Sequence, residues 1–229
     1  MTIHDMQNLC RSTMNYAASV IKPGMKLTEV RTLCEDYMLK NGADSFWYWD
    51  VGAFIFSGTD TVLSVSGREY TTPDAIVKDN DIVTIDLSPQ CNNVWGDYAR
   101  TIIVENGCVI ASTEDISNDE WRAGLQMEKH LHKVMREYVT TETTFEELFY
   151  YMNDVIANRE FANLDFLGNL GHSIIRNKND RIYIEKGNNI KLSEVEAFTF
   201  EPHISRPNSV FGYKMENIYR IENGTLIEL

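Results

Sequence analysis

Cysteine and proline are scarce in this chain, and basic residues are outnumbered. Five prolines and four cysteines (Cys10, Cys34, Cys91 and Cys108) are scattered through 229 residues. The cysteines show no C-x-x-C spacing, which excludes a disulfide scaffold and a structural zinc finger. Lys and Arg number 21 against 34 Asp and Glu, a net charge of −13. Phosphate-backbone binding needs clustered cations, so no nucleic-acid partner is expected. An acidic surface suits a cationic or neutral small ligand instead. No apolar run reaches membrane-spanning length, so no membrane partner is expected. The opening residues lack the basic and apolar regions of a secretory signal, and a reducing cytoplasm is the expected location.

What is present is a strand-like stretch ending in acid. Asp81-Ile-Val-Thr-Ile-Asp86 alternates β-branched residues, so Thr84 and Asp86 share one face while Val83 and Ile85 point into packing. A turn-rich link over Ser88–Asn93 returns to Gly96-Asp97-Tyr98-Ala99-Arg100-Thr101, which is expected to open a second strand with Asp97 opposite Asp86. Two converged carboxylates repel unless a cation lies between them. Glu196-Ala-Phe-Thr-Phe-Glu201 repeats the pattern of acid, apolar, apolar, Thr, apolar, acid. A strand expected over Lys214–Ile221 follows it and ends in Glu222-Asn223-Gly224, as the first copy ends in Glu105-Asn106-Gly107. Self-similarity at a long interval marks a duplicated half.

Helical spacing fills the remainder. Apolar positions at helical spacing from about Thr2 to Ile21 predict a helix stopped by Pro23-Gly24. A second is expected from an N-cap at Thr28 to Asn41-Gly42. Ser117-Asn118-Asp119-Glu120 and Thr144-Phe145-Glu146-Glu147 read as capping boxes, opening helices to about Tyr138 and Asn158. The aromatic run Phe46–Asp50, leading into Val51–Gly58, reads as strand. Trp47, Tyr48 and Trp49 either pack in the core or wall a substrate pocket. A loop is expected over 162–169 and a short strand over Arg181–Ile184. The chain is thus expected to be one α+β domain over 1–229, with helix-helix-hairpin halves at about 1–115 and 116–229 around a curved antiparallel sheet.

The ligand candidates are Asp86, Asp97, His172, Glu201 and Glu216. This oxygen-rich set suits Mn, Fe, Co or Zn, and bridging carboxylates would hold two divalent ions roughly 3.5–4 Å apart. A single one of these acids is most simply a solvated strand end; their combination on matched strands is not.

Ile82-Val-Thr-Ile-Asp86, Gly96-Asp97, Gly171-His172, Phe200-Glu201-Pro202 and Met215-Glu216-Asn217 resemble the motifs of the pita-bread metallohydrolases. These are the M24 peptidases, which include methionine aminopeptidase, Xaa-Pro aminopeptidase and prolidase. The resemblance covers essentially the whole chain and matches a catalytic domain alone, and Asp97-Tyr-Ala-Arg100-Thr101 is nearer the proline-specific members. It implies that Asp86, Asp97, His172, Glu201 and Glu216 ligate two ions. Glu201 would also serve as general base toward a metal-bridging hydroxide that attacks a small peptide or amide. A homodimer is a further expectation from the family.

There are departures. The family's two further histidines would fall near Leu63–Ser66 and at Asn179, and neither place has one. Lys214 stands where an Arg is usual, and is taken as a substrate-binding candidate with Trp47, Tyr48 and Trp49. His203, two residues past Glu201, is expected either to enter the cavity and act in catalysis, partly replacing a missing histidine, or to lie at the surface at a strand end. His4, His130 and His132 are expected on the solvent side. An Xaa-Pro-type aminopeptidase or dipeptidase is the leading reading. A non-peptide C–N substrate and a non-catalytic binding module are the alternatives.

Overall fold

The alternating run at Asp81 does form a strand, and it lies in the interior of its sheet. A computed structural model describes residues 1–165 and 167–229. Phe166, in the loop expected over 162–169, lies outside the described residues. The first half carries helices α1 (Ile3–Val20) and α2 (Leu27–Lys40). It has seven strands: β1 (Ser45–Phe46), β2 (Ala53–Ser57), β3 (Asp81–Leu87), β4 (Pro89–Cys91), β5 (Val94–Trp95), β6 (Tyr98–Glu105) and β7 (Cys108–Val109). Helices α3 (Asp119–Tyr138) and α4 (Phe145–Asn158) open the second half. There follow β8 (Ala162–Asn163), β9 (Ser173–Ile174), β10 (Ala197–Phe200), β11 (His203–Ser205), β12 (Tyr213–Lys214), β13 (Asn217–Glu222) and β14 (Thr225–Glu228).

The two halves reuse one plan. Antiparallel sheet β2-β3-β6-β7 packs on α1 and α2, and antiparallel sheet β9-β10-β13-β14 packs on α3 and α4. The expected α+β class holds. Alternation along β3 explains the division of the core. Val83 and Ile85 bury against Met6, Val30 and Met38 of α1 and α2, while Ile82 faces the other half and joins Phe198, Phe200 and Leu131. The face carrying Thr84 and Asp86 is therefore turned toward the second half.

A backbone bridge is among the contacts that join the halves. Arg100 and Met215 form a lone antiparallel bridge, and Glu216 N–H donates to Ala99 O at 3.0 Å. Arg100 reaches across as well: Nη1 donates to Glu216 O at 2.7 Å and Nη2 to Asn217 Oδ1 at 2.6 Å. That guanidinium lies 3.9 Å from the Tyr98 ring centroid, a cation–π contact on its own strand.

Several expectations are corrected. Asp86 pairs with Ala99 rather than Asp97, because β6 begins at Tyr98 and Asp97 sits just before the ladder. The link after Asp86 is itself a hairpin, β4–β5. The strand expected over Lys214–Ile221 breaks at Met215-Glu216, where the chain crosses to Arg100. Helix α2 starts one residue before Thr28, with the Glu29 carboxylate accepting from Lys26 N–H. Asn118, not Ser117, caps α3. The aromatic run Phe46–Asp50 is strand only at its start, since Trp49 and Asp50 adopt φ near +57° and +58°, which no strand accommodates. Arg181–Ile184 contributes a single bridge at Tyr183. No helix among the described residues is long and apolar enough to cross a membrane.

His132 is the largest correction. It is buried rather than solvent-facing, with Nδ1 2.8 Å from Tyr219 Oη and Nε2 3.0 Å from Met215 O. Spacing alone could not reveal this, because a polar residue on the inner face of an amphipathic helix looks like an interruption of its stripe.

Two outcomes follow for stability. Phe198→Ala, in the dry core of the second half, is expected to cost about 3–5 kcal/mol, and Thr144→Ala, which removes a side-chain cap, about 1 kcal/mol, both by urea unfolding. Burial depresses the His132 pKa to about 3. The unfolded chain, with a histidine pKa of about 6.5, takes up that proton first. Stability is thus full above that pH and lost as pH falls toward 3. His132→Gln should flatten the loss between pH 6.5 and 4 in acid titrations of the folded state; equal slopes in both proteins would exclude His132 as its source.

Candidate metal centre

Five side chains arrive at one place from opposite halves. Asp86 is the penultimate residue of β3 and Asp97 precedes β6. His172 precedes β9, Glu201 follows β10, and Glu216 occupies the break between β12 and β13. Carboxylate oxygens of Asp86, Asp97 and Glu216 lie within 4.8 Å of one another. His172 Nε2 stands 3.4 Å from Asp97 Oδ2 and 3.7 Å from Glu201 Oε1.

Each ligand candidate is pinned by its backbone. Gln7 of α1 grips Asp97 from both sides: its Nε2 donates to Asp97 O at 3.0 Å and its Oε1 accepts from Asp97 N–H at 3.2 Å. Thr84 and Thr101 share a hydroxyl contact of 2.8 Å beneath Asp86, and Thr101 Oγ1 also accepts from Lys214 N–H at 2.8 Å. In the other half Thr199 Oγ1 accepts from His172 N–H at 2.9 Å and lies 3.3 Å from Glu201 Oε1. The two Thr residues predicted to share faces with the acids thus anchor the site. Gly171 lies against Thr199 with φ +137°, and a Cβ there would come within 2.2 Å of Thr199 O. Only glycine fits this approach. His172 Nδ1 lies 3.2 Å from Ser173 O, so that when the ring is neutral its proton sits on Nδ1 and the Nε2 lone pair faces the acids.

Charge is badly out of balance here. Burial pushes the Asp97 carboxyl up to about 7, against the pull of His172. Glu216 is raised well above its usual range by burial, reinforced by Asp97 and Glu201. Burial would raise Glu201 too, but Lys214 and His172 prevail and hold it below the usual range. Both Glu216 oxygens are fully buried and accept no hydrogen bond. Lys214 Nζ approaches one of them at 3.8 Å, too far for a hydrogen bond. Orphaned carboxylate oxygens among other acids are costly without a cation. The donors therefore fit a divalent ion: Asp86, Asp97, His172, Glu201 and Glu216 would hold it.

A cavity of about 470 Å³ opens onto the site. Trp47 and Tyr48 line it, as does His203. Trp47 Nε1 donates to Gly96 O, and its ring stands edge-on to His172 with centroids 5.8 Å apart. Trp49 does not line it; it is 56% exposed and borders a separate shallow hollow with Asn179, because its positive φ turns it outward. His203 Nε2 donates to Thr61 O at 2.7 Å, and burial lowers its pKa to about 4, so it stays neutral. Lys214, the cross-strand partner of His203, spends its ammonium on the acids rather than leaving it free for a substrate: 2.6 Å to Asp86 Oδ2 and 3.1 Å to Glu201 Oε2. Where two family histidines were sought, Leu63–Ser66 form cavity wall and Asn179 lies outside.

Gln7 and Arg181 were missed. Arg181 lines the cavity with its guanidinium 4.6 Å from the Trp47 ring centroid and its Nε buried without a partner. An isolated Gln on a helix and an Arg in a turn carry no sequence signal that would single them out.

A family model described as metallopeptidase family M24 matches residues 2–223. Among solved structures, a prolidase from Pyrococcus furiosus aligns with TM-score 0.80 and 22% identity, over 99% of this chain and 61% of that one. An X-Pro aminopeptidase from Thermotoga maritima gives 0.79 and 20%, over 99% and 59%. A methionine aminopeptidase from Thermotoga maritima gives 0.76 and 13%, over 99% and 94%. The chain thus spans about three fifths of the first two proteins. A search of curated protein sequences finds no match.

Glu216→Gln separates cation binding from folding. Removing the orphaned carboxyl should leave the metal-free protein as stable or more so, by roughly 1–3 kcal/mol. The rise in unfolding temperature on adding Mn²⁺ to the parent protein should disappear in the variant. An undiminished rise would place the ion elsewhere.

Proposed function

Because the chain belongs to metallopeptidase family M24 and has the pita-bread fold, we propose that it is a divalent-metal-dependent hydrolase of small peptides or amides. An Xaa-Pro-type dipeptide is the favoured substrate class, and residues 1–229 act as one catalytic domain. The observation that carries this reading is the convergence of Asp86, Asp97, His172, Glu201 and Glu216 beneath a cavity large enough for a dipeptide. On this reading the five donors would share up to two ions, with Mn, Co, Fe or Zn suited to them. When bound, such ions acidify water and polarise a carbonyl.

The chain's own residues supply the remainder. Glu201, held ionised beside the cavity, is placed to accept a proton from an attacking water. His203 keeps its Nε2 proton on Thr61, so its Nδ1 is left as an acceptor for a substrate N–H. Trp47 and Tyr48 offer flat apolar walls to a ring such as that of proline. Arg181, which has no acidic partner among the described residues, suits a substrate carboxylate in bidentate geometry. The acidic balance favours a small-molecule substrate over a nucleic acid. Four free thiols accord with a reducing, cytoplasmic setting, and a homodimer belongs to the same family-derived reading.

A second reading keeps the ions and changes the substrate to a non-peptide C–N compound. The observation favouring it is the cavity wall at Leu63–Ser66, where no imidazole is available to hold a scissile amide. A binding module without chemistry is disfavoured by the orphaned oxygens of Glu216.

A dipeptide panel assayed with Mn²⁺, Co²⁺ or Zn²⁺ tests the choice. Turnover of Xaa-Pro dipeptides is expected, falling by about 10²–10⁴ in Glu201→Gln with Mn²⁺ still bound. His203→Ala should lower turnover without loss of the ion. Bound metal with no cleavage across the panel would favour the second reading, and unaltered turnover in Glu201→Gln would remove its role as base.

A further inference from the structure

Lys214 stands in the middle of the acids rather than beside them. Its side chain is mostly buried, and Nζ reaches Asp86 Oδ2 at 2.6 Å, Glu201 Oε2 at 3.1 Å and Glu216 Oε2 at 3.8 Å. Those partners come from both halves of the chain. Two of them, Asp86 and Glu216, also belong to the trio whose oxygens close to within 4.8 Å. Asp97 is not among the ammonium's partners; it faces His172 instead. One flank of the cluster thus already has a cation, and the flank around Asp97 and His172 does not.

The main chain that carries the lysine is fixed. Its N–H is bound to Thr101 Oγ1, and its strand is paired with β11 through His203. An ammonium so placed uses the Asp86 oxygen that an incoming ion would need, and like charges a few ångströms apart repel strongly in a buried site. Fully ionised, as ligands to a metal must be, the four carboxylates carry four negative charges. One divalent ion with Lys214 leaves a single negative charge, whereas two ions with Lys214 leave the cluster positive.

We propose that Lys214 is the resident cation of one ion position. The chain then holds one divalent ion tightly, on the flank of Asp97 and His172, and a second enters only by displacing the lysine. This rests on the reading of the cluster as a divalent-cation site.

Mn²⁺ titration of the metal-stripped protein tests it, followed by calorimetry for stoichiometry and by electron paramagnetic resonance for ion–ion coupling. The parent protein should take one ion tightly, with the spectrum of an isolated Mn²⁺, and any second ion at least about 30-fold more weakly. Lys214→Met should take two ions of similar affinity and show an exchange-coupled signal, and Lys214→Arg should stay at one. Should the Met variant fail to fold by circular dichroism, Lys214→Gln serves in its place. Two ions in the parent protein closer than that 30-fold, or a neutral variant that still binds only one, would overturn the role of Lys214. No uptake by any of these proteins would overturn the cation site itself, and this inference with it.

Discussion

Glu216 has two carboxylate oxygens in the protein interior, no hydrogen-bond donor for either, and three further carboxylates around it. Ionised groups in such surroundings are tolerated only when opposite charge is supplied. Lys214 supplies part of it, and the remaining deficit is what gives the cluster its affinity for a divalent ion. The surrounding structure can be read as the apparatus that prevents these acids from moving apart.

That apparatus is backbone-directed. Gln7, Thr101, Thr199 and Arg100 bond mainly to main-chain groups next to the ligand candidates rather than to the ligand side chains. The carboxylates keep their lone pairs for a cation while their positions are fixed from behind. Arg100 also explains why two similar halves act as one unit, since its guanidinium crosses from β6 to the backbone at Glu216. Within the second half, the tight contact of Gly171 with Thr199 fixes the backbone at His172.

Much of this was legible in the sequence, for identifiable reasons. Period-2 alternation with terminal acids marked β3 and β10, and the repeated Thr before each acid marked the residues that anchor the site. The five ligand candidates, drawn from both halves, lie together. The register did not follow, because the turn after Asp86 folds into its own hairpin and offsets Asp97 from Asp86 by two positions. Trp49 was misjudged since a left-handed backbone conformation, invisible in an aromatic run, turns it away from its neighbours. His132 and Gln7 are buried polar residues whose partners are main-chain groups and a tyrosine hydroxyl far away in sequence, so no local pattern reports them.

Anomalous diffraction from crystals grown with Mn²⁺ tests the central claim most directly. The account predicts a strong anomalous peak bounded by Asp97, His172 and Glu216, with Glu216 oxygens turned to it. Crystals that show no peak there, with Glu216 reoriented to a hydrogen-bond donor, would contradict it.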